Sequence, residues 1–402
     1  MAQITPFAVN ISEDVIARIL GRVRDYVWHE EPDDAEWQYG VPLAVMREVQ
    51  HYWLNSFDWA SVERGLNRFP QFRVPVGGCT VHLIHEQAST ARGIPLLLLH
   101  GWPGSTLEFM DVIEPLAHPE RFNANRPAFD VVAVSLPGYG FSDGPKRPVT
   151  PRGVAGMMNS LMTDALGYGS YVAQGGDWGS MIAGWLGYDH PDHCKAVHWT
   201  MMGLSPGGDT PGAFDALVAP PHTQEEIEWT QRVQKATQWE LGYAAIQATR
   251  PQTLSYAMMD SPMGVAAWII EKFHSWADLR GRSVQEVFTL DRLLANVMVY
   301  LVNGRFNTAT WMYRSLMTEG NSLPAGRRIE VPVGMMAVAH DIIPPPPRSY
   351  VEKVSNIVHW KQADRGGHFL AMEQPGLLIE DIRAFTSQLG DTPSAARKVT
   401  GE

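Results

Sequence analysis

The sequence predicts an α/β protein: a mostly parallel sheet flanked by helices, with a helical lid inserted into it and a helical arm in front of it. Three observations predict this architecture. Short apolar strands alternate with helical stretches from Ile94 onward, residues 204–327 are helical in pattern and break that rhythm, and the alternation resumes at Val331. Parallel strands need a crossover, usually helical, to return the chain to the same edge, so the alternation implies helices on both faces. The expected divisions are an arm over 1–70, core over 71–203, lid over 204–327, further core over 328–389 and a flexible tail over 390–402.

The elements follow in chain order. Ser12 is placed to cap a helix whose first turn is acidic at Glu13 and Asp14. Ile11 and Ile16 are spaced for a hydrophobic staple, and Val15, Ile16, Ile19, Leu20 and Val23 make one apolar face. A second helix is expected from Leu43 to Trp53. Period two then takes over: Phe72 to Val76, a Gly77-Gly78 turn and Cys79 to His85 form a hairpin. Pro95 to Leu99, Asp130 to Val134, Tyr171 to Gln174 and Ala196 to Thr200 supply core strands. The lid helices span Gln224 to Ala248, Pro251 to Met259, Gly264 to Trp276, Val284 to Leu301 and Thr308 to Met317. Val331 to Val338 and Ile357 to Trp360 rejoin the sheet, and a helix at Leu377 to Leu389 closes it.

With 402 residues and 45% hydrophobic side chains, the chain can bury one large core. A formal net charge of -11, with no block of Lys or Arg to override it, excludes nucleic acid and anionic membrane surfaces as partners. Cys79 and Cys194 are too few and too far apart for a disulfide framework or a zinc site, which suits a reducing compartment. The first twenty residues lack a basic segment followed by an apolar one, and no apolar run approaches roughly 18 residues. The expectation is a cytoplasmic protein without a membrane span. No phosphate loop, His-x-x-x-His pair or dinucleotide fingerprint is present, so neither cofactor nor metal is expected. No feature sets an oligomeric state.

The chemistry centres on Asp177. Tyr171 to Gln174 forms a strand that enters a turn with small residues at Gly175, Gly179 and Ser180, the pattern of a nucleophile elbow. A carboxylate that attacked an acyl group would give an anhydride, whereas attack on an sp3 carbon gives an ordinary ester, so the implied reaction is displacement at carbon. His100 to Gly104 follows the Pro95 to Leu99 strand. Its Trp102 N–H, with that of Trp178, can form an oxyanion hole, since Pro103 has no N–H to offer. Asp341 follows a strand end and can orient an imidazole; Glu330 and Asp364 are weaker substitutes. His368, on a loop before the last helix, stands where a general base belongs, giving the chain order nucleophile, acid, histidine.

On these motifs and several longer strings the chain resembles the epoxide hydrolases of the microsomal-like α/β-hydrolase family, from Pro6 to about Gln388. The arm carries Phe57-Asp58-Trp59 and Leu66-Asn67. The core carries Ser135 to Ser142, and the lid carries Gly242-Tyr243, Ala248 to Pro251, Asp260 to Gly264, Trp268 and Glu271-Lys272-Phe273. The resemblance implies an α/β-hydrolase fold with lid and arm, here without the membrane anchor, acting on a small-molecule epoxide and water. It also implies two lid tyrosines that hold the epoxide oxygen, matched by Tyr243 and Tyr313. One departure is that Val338-Ala339-His340 precedes Asp341, where the family tends to place a Phe-Pro-x pattern.

On this reading Asp177 opens the epoxide, and His368, oriented by Asp341, activates the water that releases a vicinal diol. Trp102, Trp178, Trp311 and Phe369 are expected to line the substrate. The Met- and Trp-rich lid suggests a bulky or aromatic natural-product epoxide, met in detoxification or secondary metabolism. Two alternatives stay open: a haloalkane dehalogenase using the same aspartate, with the Trp178 indole N–H on the halide, and a catalytically silent binding protein of the same fold.

Overall fold

A computed structural model describes residues 3–89, 93–123, 126–207 and 221–390. The arm is more than helical. Its strand β1 (Thr5–Phe7) pairs antiparallel with β2 (Gln71–Val76) and so adds an edge to the sheet. Three residues are too few to show a period of two, and their conformation is fixed by the partner strand. Helices α1 (Glu13–Arg24), α2 (Leu43–Asn55) and α3 (Trp59–Asn67) follow. Ser12 occupies the N-cap of α1, but its side chain makes no capping bond, contrary to expectation. The acidic first turn, Glu13 and Asp14, answers the helix dipole there instead. Asp58 does cap α3, accepting the Ala60 N–H at 3.0 Å. Asn67, at the end of α3, exchanges two 2.8 Å hydrogen bonds with the Val9 backbone and pins the start of the chain to the arm.

The core then alternates as expected. After β2 come β3 (Cys79–Glu86), β4 (Ile94–Leu99), α4 (Ile113–Ala117), β5 (Phe129–Val134), α5 (Pro151–Ser160), β6 (Tyr171–Gly175), α6 (Asp177–Asp189) and β7 (Cys194–Trp199). The lid comprises α7 (Gln224–Glu240), α8 (Gly242–Thr249), α9 (Pro251–Asp260), α10 (Pro262–Trp276), α11 (Val284–Val302), α12 (Phe306–Ala309) and α13 (Trp311–Glu319). The single helix expected over Gln224 to Ala248 is two, separated at Leu241. The chain ends in β8 (Ile329–Ala337), α14 (Arg348–Val351), β9 (Ser355–Gln362), α15 (Leu370–Glu373) and α16 (Pro375–Thr386). Residues 208–220 of the expected lid and the expected tail from 391 lie outside the described residues. Among the described residues, no helix is long and apolar enough to cross a membrane.

The sheet runs β1-β2-β3-β5-β4-β6-β7-β8-β9, antiparallel up to the β3–β5 pair and parallel from β5 to β9. Every residue of β4 and β5 is buried, as a strand covered on both faces must be. Leu99 aligns with Val134 on one side and Gly175 on the other, and Gly175 aligns with Trp199. These strands therefore stop level. The loops that leave β4, β6 and β7 emerge side by side at the carboxyl edge of the sheet, where ligands bind in open α/β sheets.

Candidate active site

Asp177 sits at the junction of β6 and α6 with φ +47°, a left-handed conformation that costs a non-glycine residue strain and persists only where its surroundings enforce it. Small neighbours make the turn possible. A Cβ on Gly175 would lie 2.2 Å from the Gly179 carbonyl, and one on Gly179 would lie 1.9 Å from the Leu99 oxygen. The turn aims the Asp177 carboxylate at the loop after β4. There its Oδ1 accepts the Trp102 N–H at 2.8 Å, and the Trp178 N–H also donates to the carboxylate.

His368 approaches from the loop after β9, with Nε2 3.7 Å from Asp177 Oδ2. Its Nδ1 lies 2.7 Å from Asp341 Oδ1, which also accepts the Ile342 N–H at 2.7 Å. Glu330 and Asp364 are exposed; Glu330 pairs with Arg328, and the Asp364 carbonyl accepts from Arg280. The histidine loop is tied down by Glu373, whose carboxylate accepts the N–H groups of Asp278, Gly367 and Phe369 at 2.8, 2.9 and 3.0 Å. The His368 N–H itself donates to the Trp276 carbonyl at 3.0 Å, which joins His368 to lid helix α10.

Tyr243 on α8 and Tyr313 on α13 are buried and share a hydrogen bond between their hydroxyls. Trp102 stacks on Tyr243 with centroids 4.8 Å apart, and Trp178 meets Tyr313 edge-on at 4.6 Å. The indoles of Trp102 and Trp178 thus hold the two lid phenols beside Asp177. Phe369 stacks on Phe273 at 3.9 Å and lines the cavity at Asp177. Trp311 is not brought to this cluster. Its indole N–H donates to Asn307 one turn earlier, and it lines neither cavity adjoining the catalytic groups.

Burial and charge act in opposite directions here. Desolvation raises the Asp177 pKa above 3.8, and the His368 charge and the Trp178 and Trp102 N–H groups oppose it. Burial disfavours charge on His368, but Asp341 and then Asp177 outweigh it and hold the imidazolium to about 9. Burial, reinforced by the Asp177 charge, pushes both tyrosines well above 10, so the phenols stay protonated. His100 is dropped to about 4 by burial. It stays neutral, with the Leu136 N–H donating to Nε2 and Nδ1 3.0 Å from the Gly101 carbonyl, and it ties the loop after β4 to the start of the loop after β5.

Sequence reasoning missed two acidic groups. Glu108 lines the same cavity as Asp177 and His368, and burial lifts its carboxyl to about 8. Its one local signal was Ser105-x-x-Glu108, a helix-start pattern. Glu373, raised to about 7 by burial, had no local signal.

Residues 4–109 match the family described as epoxide hydrolase N terminus, and residues 94–375 match the alpha/beta hydrolase fold family. The chain is 30% identical over 407 residues to epoxide hydrolase 1 of Sus scrofa, covering 96% of this chain and 89% of that protein. It is 31% identical over 399 residues to juvenile hormone epoxide hydrolase 1 of Ctenocephalides felis, covering 94% and 84%. Among solved structures, the Aspergillus niger epoxide hydrolase superposes with a TM-score of 0.80 at 30% identity over 96% of both chains. The juvenile hormone epoxide hydrolase of Bombyx mori gives 0.80 at 28% identity, over 95% and 93%. An aspartate elbow beneath paired lid phenols, an N-terminal arm and these relatives belong together: the chain is a member of the epoxide hydrolase family of the α/β-hydrolase fold.

Proposed function

We propose that this epoxide hydrolase works in two covalent steps centred on Asp177. In the first, an Asp177 carboxylate oxygen attacks an epoxide carbon from the back, that carbon–oxygen bond breaks, and a lid phenol gives its proton to the alkoxide. An alkoxide is more basic than a phenolate, so Tyr243 and Tyr313 can donate although burial has made them weaker acids than an ordinary phenol near 10. The product is a hydroxyalkyl ester. Forming it discharges Asp177, one of the two carboxylates that hold the proton on His368. The imidazole becomes a weaker holder of its proton at the step where a base is needed, and the proton it releases balances the one the phenol gave up.

In the second step water gives a proton to His368 Nε2 and bonds to Asp177 Cγ. The oxyanion is received by the Trp102 and Trp178 N–H groups, and collapse breaks the bond from Cγ to the ester oxygen. The diol leaves with the proton from His368, and the Asp177 carboxylic acid left behind returns its proton to the imidazole, which restores the starting pair. The observation that carries this reading is the Asp177 carboxylate itself, with Oδ1 already 2.8 Å from the Trp102 nitrogen and Oδ2 3.7 Å from the imidazole.

The substrate proposed is a bulky, apolar epoxide. A cavity with a wall at Asp341 is lined by Met181, Met201, Met202, Trp229, Leu241 and Met335, and it shares Thr200 with the smaller cavity at Asp177. Thioethers and an indole adapt to apolar groups of varied shape. A cytoplasmic setting belongs to the same reading, supported by the free, buried thiols of Cys79 and Cys194.

Replacing the base separates the steps. The variant His368→Gln mixed with styrene oxide should gain the mass of one epoxide, and peptide mapping should locate it on Asp177. Diol release by the native enzyme with no adduct on the variant would count against the ester.

A further inference from the structure

We propose that Glu108 and Gln174 hold the single water molecule that hydrolyses the ester, in a small cavity beside Asp177 whose walls include neither lid tyrosine. The proposal rests on the two-step reading above. The cavity offers about 20 Å3 to the centre of a water molecule. One water needs roughly 10–15 Å3 on that measure and two to four polar partners. Leu99, Phe109, Phe369 and Leu378 supply apolar wall, and Glu108, Gln174, Thr200, Asp177 and His368 supply polar side chains, enough partners for one water.

Glu108, Gln174 and Thr200 have no task in the steps already described, and the first two have polar capacity to spare. Gln174, 2% exposed and three residues before the nucleophile, carries a buried Oε1 with no hydrogen-bond partner among the described residues. A buried acceptor left in that state is rare unless a water completes it. Glu108 accepts the Ser105 N–H and so closes the helix start. A protonated carboxyl group also has an O–H to donate, and the loop is shaped to admit it: a Cβ on Gly104 would lie 1.6 Å from Glu108 Oε1. With its pKa lifted to about 8, chiefly by burial, Glu108 is neutral at pH 7.

A neutral carboxyl suits the position. Its O–H can donate to the water oxygen while Gln174 Oε1 and His368 take the water's two hydrogens, which leaves one oxygen lone pair for Asp177 Cγ. An ionised carboxylate there would oppose the oxyanion that forms on the ester. The cavity lies beside Asp177 among core residues, with neither Tyr243 nor Tyr313 in its wall.

The alternative role, a helix cap alone, is separable because glutamine caps as glutamate does. Rapid-quench single turnovers with styrene oxide should give Glu108→Leu an ester-forming rate within about threefold of the native enzyme. Ester hydrolysis should slow on the order of 10²-fold, so that the adduct accumulates. Glu108→Gln, neutral and of the same shape, should restore hydrolysis to within about fivefold of native. Gln174→Leu should slow hydrolysis by roughly tenfold with ester formation kept, and it tests the same cavity if Glu108→Leu does not fold. Equal loss of both rates in Glu108→Leu, or native hydrolysis in both leucine variants, would overturn the proposal. If the native enzyme itself forms no ester, the two-step reading fails, and that outcome is distinct from either.

Discussion

For the proposed attack on carbon Asp177 must be ionised, yet burial raises its pKa and only the His368 charge and two backbone N–H groups pull it back. Protonation disarms it, so ester formation should fall as pH drops through a midpoint above the usual carboxylate value of about 4. Removing the imidazolium takes away the largest opposing effect. The single-turnover acid limb of His368→Gln should therefore shift to higher pH, and an unshifted limb would mean that the two groups are not coupled. Tyr243→Phe and Tyr313→Phe should each slow ester formation by roughly 10²-fold, the worth of one acid catalyst. A fully active double variant would remove the phenols from the mechanism. Asp177 was legible in the sequence because an elbow needs small residues at fixed offsets, a local constraint. Glu108 and Glu373 were not, because what they do is set by tertiary placement: Glu373 holds Asp278, 95 residues earlier, and Glu108 lies beside His368, distant in the chain.

Elements position these residues by ending level and leaving no slack. The elbow depends on Gly179, where a methyl group would meet the Leu99 oxygen at 1.9 Å. Gly179→Ala should cost about 1–3 kcal/mol as an overpacked site, read as a lower midpoint in urea, with ester formation lost more steeply than stability. The histidine loop depends on three N–H groups gathered by Glu373. Glu373→Ala should release it and slow ester hydrolysis on the order of 10–100-fold, since displacement of about 1 Å is enough for that. Unchanged turnover would show that the loop holds itself. Most strands and helices were legible from periodicity alone. The exceptions share one cause, that local pattern did not decide the conformation. β1 is three residues long and takes its form from β2, and the α7–α8 break at Leu241 interrupts a run whose pattern reads through.

Over the whole molecule, the arm braces the lid and the lid carries the two phenols. Trp37 of the arm stacks on His274 of α10 at 3.6 Å, Arg22 of α1 pairs with Asp260 at the end of α9, and α10 also supplies the Trp276 carbonyl that holds the His368 N–H. Trp37→Ala should destabilise the chain by about 0.5–1.5 kcal/mol, a drop in melting temperature that calorimetry can read. An unchanged melting temperature would make the stack incidental. The alternation of strand and helix, which runs the length of the core, was enough to predict the sheet; the arm-to-lid brace was not, because it joins surfaces more than 200 residues apart. The claim on which the account turns is that an oxygen of Asp177 ends up in the diol. With enzyme in excess in heavy-oxygen water, a single turnover should yield diol free of label and leave the label in the Asp177 carboxyl group. Label in that first diol, with none in the protein, would mean that water opens the epoxide directly.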